Sequence, residues 1–275
     1  MKNFDKKEAN TYKKAFELTY KMMELRPYYL ESEFALETPA GHAYVTQAAK
    51  IRYNITGNWE FPTSLRTRDR MMWMKACTIM YKATGEKKYM KKAKELAAQI
   101  ADRQYTDKVN AIDGCYGMFK EFDNCETAFM VEFLQSFGQN IGAIQPTDLE
   151  PFIDLIEYDP DDPDADRWRT VIQTFVDGFI KNSSKLTPLG IYPVCAYPGE
   201  GVKFFQSIPH GATVMYGLSA RNMAILGKYL NDTTLRDLAQ RNLQFVIGLN
   251  PGFPNQYKET KWQIYILLSN DAFWF

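Results

Sequence analysis

Apolar residues recur at helical spacing along most of this chain, separated by lysine, glutamate and other polar residues. In residues 5–25, for example, Tyr12, Phe16 and Tyr20 stand among charged positions, which is typical of a surface helix with one apolar face. The same spacing predicts helices at residues 5–25, 67–83, 88–104, 124–139, 165–183, 212–230 and 234–247. Methionines and aromatic residues inside these segments, such as Met74, are interpreted as core packing. The chain is therefore predicted to be all-α.

Short turns join predicted helices in pairs, and two of these pairs are alike. Gly85-Glu86 interrupts the first strong pair, and Asn231-Asp232 interrupts the last. A glycine between two helical stretches is typical of a tight αα-hairpin. The two turns stand 146 positions apart, and at that offset Ile79 superposes on Ile225, Tyr89 on Leu235 and Ala93 on Ala239. We interpret this as an internal structural repeat of helix, two-residue turn and helix.

Other connections are long and carry a glycine followed two residues later by an aromatic residue. These units are Gly57-Asn58-Trp59, Gly114-Cys115-Tyr116 and Gly190-Ile191-Tyr192. Loops longer than about 12–15 residues are uncommon unless they are functional or disordered, and these are too aromatic for disorder. We therefore expect a structural end with short turns and, opposite it, a working end with long loops. The aspartate- and proline-rich segment 159–164 is interpreted as a solvated loop within a single domain of residues 1–275.

Helical hairpins with short turns alternating with long loops resemble the α/α-toroid, or six-hairpin glycosidase, architecture. Residues 81–89 resemble the hairpin phrase of family 9 glycoside hydrolases (endoglucanase-like enzymes), and residues 239–251 resemble the helix and Gly-x-Asn-Pro turn of their C-terminal region. The resemblance implies an α/α toroid or partial toroid that hydrolyses a glycosidic bond in an oligo- or polysaccharide. No catalytic residue is carried over, because the paired-aspartate motif of that family has no equivalent here. A fragment, a divergent relative and a non-catalytic member all stay open.

The first candidate site is the acidic segment 121–126, which contains Asp123 and Glu126 beside aromatic residues and just before a predicted helix. Glycoside hydrolysis usually needs two carboxylates facing one cleft, one as the acid and the other as base or nucleophile. An Asp with a Glu three residues later is also an ordinary helix-capping arrangement. Capping is the commoner explanation of the two.

A second cluster contains Trp59 and Glu60, followed by Arg66, Arg68 and Asp69. An indole face stacks well on a sugar ring, and Glu60, Asp69 or the arginines can bind hydroxyl groups or a uronate carboxylate. The alternative is an aromatic residue that packs against the next hairpin, with Arg68 and Asp69 in ion pairs.

A third cluster follows the Gly190 unit and contains Tyr192, Tyr197 and His210. His210 precedes a predicted helix at the working end, so its ring is a candidate for the cleft, although a lone histidine is more often structural. Together with Trp59 and Tyr116, the two tyrosines are expected to line a substrate cleft.

The composition narrows the function classes. Thirty-three basic residues balance thirty-three acidic ones, which excludes the basic excess of a general nucleic-acid binder. No apolar run reaches the roughly 18 residues that span a bilayer, so no membrane insertion is expected. With four scattered cysteines and two histidines, neither a disulfide scaffold nor a metal site is predicted.

No phosphate-binding or dinucleotide motif is present in the sequence, so no cofactor is expected. The first residues contain no apolar signal segment, so the chain as it stands is expected in the cytoplasm. If the natural start lies elsewhere, an exported or periplasmic protein is expected instead. Two hypotheses result. The first is a glycoside hydrolase that uses Asp123, Glu126, Glu60 or Asp69 without a metal. The second is a non-catalytic carbohydrate-binding or scaffold protein of the same fold.

Overall fold

The computed structural model describes residues 5–25, 67–120, 148–193, 195–197, 201–204 and 212–249. Its helices are α1 (Lys6–Leu25), α2 (Thr67–Thr84), α3 (Lys87–Asp102), α4 (Glu150–Tyr158), α5 (Ala165–Thr174), α6 (Ala212–Tyr229) and α7 (Thr233–Val246). Helix α5 continues into a π-helix, Phe175–Ile180, and a short helical turn, Lys181–Ser183. The antiparallel strands β1 (Cys195–Tyr197) and β2 (Gly201–Lys203) form a small hairpin. The predicted all-α class is confirmed.

The hairpins α2–α3 and α6–α7 share one turn geometry. Gly85 has φ +72° and Asn231 has φ +51°, so each helix ends at a left-handed residue. Glycine and asparagine are the residues that adopt this conformation most readily at a helix C-terminus. The next residue, Glu86 or Asp232, is extended (φ −72°, ψ 112° and φ −103°, ψ 111°), and the second helix starts directly after it. The repeat proposed from sequence therefore extends to the backbone of the turn.

The acidic residue of each turn forms an ion pair with a lysine from outside its own hairpin. Lys13 of α1 donates to Glu86 at 2.6 Å, and Lys181 pairs with Asp232 at 2.7 Å. Only Asp232 also caps its helix: its carboxylate accepts from the backbone N–H groups of Thr234 (2.9 Å) and Leu235 (3.3 Å). The longer Glu86 side chain makes no such bond.

Helix α4 lies between the two hairpins and contacts α2, α3, α5 and α6. The helical pattern did not predict it. Five of its nine residues are buried, namely Pro151, Phe152, Ile153, Leu155 and Ile156. Glu150, Asp154 and Glu157 recur at helical spacing, but nine residues are shorter than the window of about 11–18 residues over which such a pattern is recognised.

The start of α4 is held by cations from both hairpins. Lys75 of α2 lies 3.0 Å from Glu150 and also pairs with Asp148, and Arg221 of α6 lies 2.5 Å from Glu150 and 3.4 Å from Asp148. Lys75 and Arg221 occupy equivalent positions of the repeat, 146 residues apart. In addition, Asn222 accepts from the backbone N–H of Leu149 at 3.1 Å.

Segment 159–164 joins α4 to α5 as an exposed connection. Lys94 of α3 donates to Asp159 at 2.6 Å and also binds Asp162, which ties the segment to the hairpin beside it. It is a loop, as expected. The predicted helix at 124–139 lies outside the described residues. Among the residues that are described, no helix has the length and apolar character to cross a bilayer.

The first prediction concerns the two turn residues. Asp232→Ala removes a capping acceptor and should lower the free energy of unfolding by about 1 kcal/mol, within the usual span of about 0.5–2 kcal/mol. Glu86→Ala is the matched control, because it occupies the same position of the repeat without a capping bond, and it should cost less. Urea unfolding followed by circular dichroism measures both.

The effect of Asp232→Ala should also depend on pH. The Lys181 ammonium holds the pKa of Asp232 below its usual value. A carboxylate with a lowered folded-state pKa contributes stability above its unfolded-state pKa of about 4 and loses it as the pH falls through the folded value. The gap between wild type and variant should therefore be full at neutral pH and shrink below about pH 4. Equal losses for both variants, or a gap that does not change with pH, would contradict this account of the turn.

Candidate functional site at the loop end

The connection after α3 folds back on itself at the end of the hairpin opposite the short turn, here called the loop end. The predicted helix 88–104 ends earlier, at Asp102, because Arg103 and Gln104 already pair with this connection. The Lys120 N–H donates to the Arg103 carbonyl at 2.8 Å, and Gln104 bridges to Phe119. The long connection is therefore an ordered loop built on the helix end.

Tyr116 anchors this loop on the π-helix. Its N–H donates to the Gly178 carbonyl at 3.1 Å, and its ring lies where a Cβ on Gly178 would be, 2.5 Å away. Lys108 sits 5.1 Å from the centroid of the half-buried Tyr116 ring. Single turns of π-helix occur frequently at functional sites, and here the π-helix presents a glycine against which an aromatic loop residue packs.

Asp113 connects this loop to the β-hairpin. Its carboxylate accepts from the Val202 N–H at 2.7 Å, and Gly201, with φ +81°, leaves room for it. Asn182 donates to the Gly114 carbonyl at 3.0 Å. The second and third long connections are thus neighbours, as the sequence led us to expect of a working end. Asp113 was not singled out from sequence, although Asp-Gly is a recognised turn signal.

A buried junction joins the loop to the start of α2. Thr67 donates to the Lys120 carbonyl, and Arg103, which is 3% exposed, donates to the Thr67 hydroxyl at 3.1 Å. Thr67 stands between Arg66 and Arg68, and Lys120 directly precedes the acidic segment 121–126. The junction therefore joins Thr67, which stands within one predicted cluster in the sequence, to Lys120, which precedes the other.

Two titratable groups of the described loop, Asp107 and Cys115, have shifted pKa values that keep each in one protonation state near neutral pH. Hydrogen bonds from Asn110, first from its side chain, lower the pKa of Asp107, so this carboxylate stays ionised. Burial raises the pKa of Cys115 to about 12, which leaves an unreactive thiol. In the part of the chain that the structure covers, no group of three His, Cys, Asp or Glu side chains forms a metal site.

Tyr192, expected on a cleft wall, lies in the core instead. Its side chain is 2% exposed, and its ring packs edge-on against Phe179 with centroids 5.7 Å apart. Its backbone N–H donates to the buried Asn242 side chain at 2.9 Å. The segment that follows Gly190 is thus attached to α7 through Tyr192. Tyr192 is therefore a core-packing residue in the described structure.

The other predicted residues divide into two groups. Arg68 and Asp69 lie in the first turn of α2 and Tyr197 lies on β1, but their side chains are outside the description. Six more lie wholly outside the described residues: Trp59, Glu60, Arg66, Asp123, Glu126 and His210. Of the predicted aromatic residues, Tyr116 is the one that the described structure places at the loop end with a half-buried ring.

Comparison with known proteins finds no matching family model, no matching curated protein and no matching solved structure.

The contact between Tyr116 and Gly178 yields a second prediction. Gly178→Ala would force the loop away from the π-helix and should destabilise the protein by about 1–3 kcal/mol, the usual cost of overpacking. Gly217→Ala is the matched control, because a Cβ at that position in α6 meets no described atom within 4 Å. It should be neutral or stabilise by up to about 1 kcal/mol through its higher helix propensity. Thermal unfolding of both variants tests this, and equal effects would show that the loop does not pack as described.

Proposed function

We propose that this protein is a carbohydrate-active enzyme, a glycoside hydrolase whose cleft lies at the loop end of an α/α toroid or partial toroid. The observation that carries the proposal is the hydrogen bond between Thr67 and the Lys120 carbonyl. It joins the start of α2, where Arg68 and Asp69 lie, to the point where the chain enters the acidic segment.

Glycosidic bond cleavage needs a carboxylic acid that protonates the leaving oxygen and a second carboxylate that acts as base or nucleophile. The two carboxyl groups of such pairs lie about 5–9.5 Å apart. We propose Asp123 or Glu126 as one member and Glu60 or Asp69 as the other. The junction supports this pairing, because Lys120 and Thr67 are three residues before Asp123 and two residues before Asp69.

Substrate contacts would come from the remaining groups at this end. Tyr116 and Lys108 are ordered in the described loop, and Trp59, Tyr197, Arg66, Arg68 and His210 are proposed as further contacts. Aromatic rings suit the apolar faces of sugars, and guanidinium groups suit their hydroxyl or carboxylate groups. An oligo- or polysaccharide is the substrate class that needs both.

A non-catalytic carbohydrate-binding or scaffold protein is the second candidate, and one observation favours it. The described acidic groups of the loop have structural partners: Asp113 holds Val202, and Asp107 holds the turn at Val109 and Asn110. On this alternative, the loop end keeps its shape for recognition and has no acid pair.

The third prediction is a loss of activity. Wild-type protein should release reducing sugar from at least one member of a broad polysaccharide and oligosaccharide panel. Asp123→Asn, Glu126→Gln, Glu60→Gln and Asp69→Asn are then compared, and loss of the catalytic acid or base should slow release by about 10²–10⁴-fold. Asp161→Asn, in the exposed α4–α5 connection, is the control and should leave the rate unchanged.

The outcomes separate the two candidates. Release that survives all four substitutions would overturn the assignment of the acids. No release from any substrate by a protein with a normal helical spectrum would overturn hydrolysis, and glycan-array binding by that same protein would then support the recognition role.

A further inference from the structure

A partly buried carboxyl group lies between α4 and α2, at a place that the proposed cleft does not use. Asp154 of α4 accepts a hydrogen bond from the Thr78 hydroxyl of α2 at 2.7 Å, and Thr78 is fully buried. Thr78 precedes the short turn at Gly85 by about two helical turns. Asp154 therefore joins α4 to the half of α2 that is nearer to the short turn.

The Thr78 hydroxyl has one proton and two acceptors within reach. Its oxygen also lies 3.0 Å from the Lys75 carbonyl of its own helix. A hydroxyl group can donate one hydrogen bond and can accept others at the same time. When Asp154 is ionised, its carboxylate and the carbonyl compete for the single proton. When Asp154 is protonated, it can donate to Thr78 while Thr78 donates to Lys75, so both contacts become hydrogen bonds.

The ion pairs of the helices around α4 use acids other than Asp154. These pairs are Lys75 and Arg221 with Glu150, Lys94 with Asp159 and Asp162, Arg167 with Asp102, and Arg169 with Asp166. Lys82 lies about one turn after Thr78 on α2, where it is exposed and forms no ion pair with an acid among the described residues. Asp154 is thus a carboxyl group without an ion-pair partner in the described structure.

The charges that act on Asp154 come mainly from its own helix. Glu150 and Glu157 stand one turn before and one turn after it, and Lys82 is the opposite charge on α2. Burial, and then these two like charges, raise the pKa of Asp154 above its usual value, against the hydroxyl hydrogen bond and Lys82. The neighbouring Tyr158 brings a neutral hydroxyl, because burial raises its pKa as well.

We propose that Asp154 and Thr78 form a proton-sensitive contact that holds α4 against α2 more firmly in mild acid than at neutral pH. Protonation removes a negative charge from between two glutamates and supplies the second proton of the Asp154–Thr78–Lys75 chain. Ionisation leaves a partly buried charge that only a neutral hydroxyl compensates, which is unfavourable. The contact requires no substrate and no reaction, so it does not rest on the proposed hydrolysis.

The pH dependence of this contact is opposite to that of the Asp232 cap. A carboxyl group with a raised folded-state pKa contributes stability that is full below its unfolded-state pKa of about 4 and is lost as the pH rises through the folded value. Asp154 should therefore weaken the fold towards neutral pH, where Asp232 strengthens it.

The fourth prediction is a titration of Asp154 in the full chain. The carbon-13 chemical shift of its carboxyl group, assigned by comparison with Asp154→Asn, should show a midpoint above about 4, the value of an unperturbed aspartate. Thr78→Val keeps the shape of the side chain and removes the hydroxyl that donates to the ionised form, so it should move the midpoint to higher pH. A wild-type midpoint at or below about 4 would overturn the proposal.

Urea unfolding measures the effect on stability. Asp154→Asn is neutral at every pH and can still donate to Thr78. The unfolding equilibrium constant of the wild type relative to this variant should rise above about pH 4, by about tenfold for each unit that separates the folded and unfolded pKa values of Asp154. Asp161→Asn makes the same chemical change at an exposed residue and should keep the pH dependence of the wild type. A ratio that stays constant or falls with pH would contradict the proposal.

Hydrogen exchange locates the effect in the molecule. After correction for the intrinsic exchange rate at each pH, the amides of α4 should lose more protection between about pH 5 and about pH 7 in the wild type than in Asp154→Asn. Equal losses in the two proteins would show that this contact is not the proton-sensitive one. Reducing-sugar release is read separately, so failure of one proposal leaves the other testable.

Discussion

Helix α4 is held between two copies of the same hairpin, and the arrangement of the described helices depends on how that contact is made. Lys75 and Arg221, equivalent residues of the two copies, both bind the acidic pair at the start of α4. These ion pairs are partly exposed, and such pairs are typically worth only about 0–1 kcal/mol each. Burial of an apolar side chain contributes more, about 1.5–3 kcal/mol, and Phe152 and Leu155 are fully buried. Apolar packing therefore supplies the stability, while the two cations hold the start of α4 against both hairpins.

The two hairpins α2–α3 and α6–α7 share a turn geometry but carry different side chains on their helix faces. The turn needs only a residue that tolerates positive φ and an acidic residue after it, so Gly85-Glu86 and Asn231-Asp232 both satisfy it. The faces of the helices are less constrained. In the second hairpin, Tyr216 and Phe245 close the space between helices. In the first, the equivalent positions carry Arg70 and Gln99, which line a cavity of about 270 Å³.

Sequence reasoning located what has a local signature. The helices of the first hairpin start and end within one or two residues of the predicted positions. Gly85 was predicted to form the turn, and it adopts the positive φ that a tight helical hairpin uses there. Helix α4 was missed because its nine residues are shorter than the window of about 11–18 residues over which helical spacing is recognised. Tyr192 was predicted to line the cleft because it follows a glycine in a long connection. Its burial is decided by contacts with Phe179 of the π-helix and Asn242 of α7. The sequence around Tyr192 does not reveal these contacts.

The loop end illustrates how a long connection can be precise without regular structure. A glycine in the π-helix lets Tyr116 pack directly on the helix, Asp113 fixes the β-hairpin to the same loop, and Thr67 with Arg103 holds the place where the loop leaves. Each contact uses a different chain segment, so three independent anchors hold the described loop up to Lys120. Catalytic and binding groups need positions accurate to about 0.5 Å, which requires neighbouring residues that hold them in place. The described loop is therefore anchored as far as Lys120, the residue that directly precedes the acidic segment in the sequence.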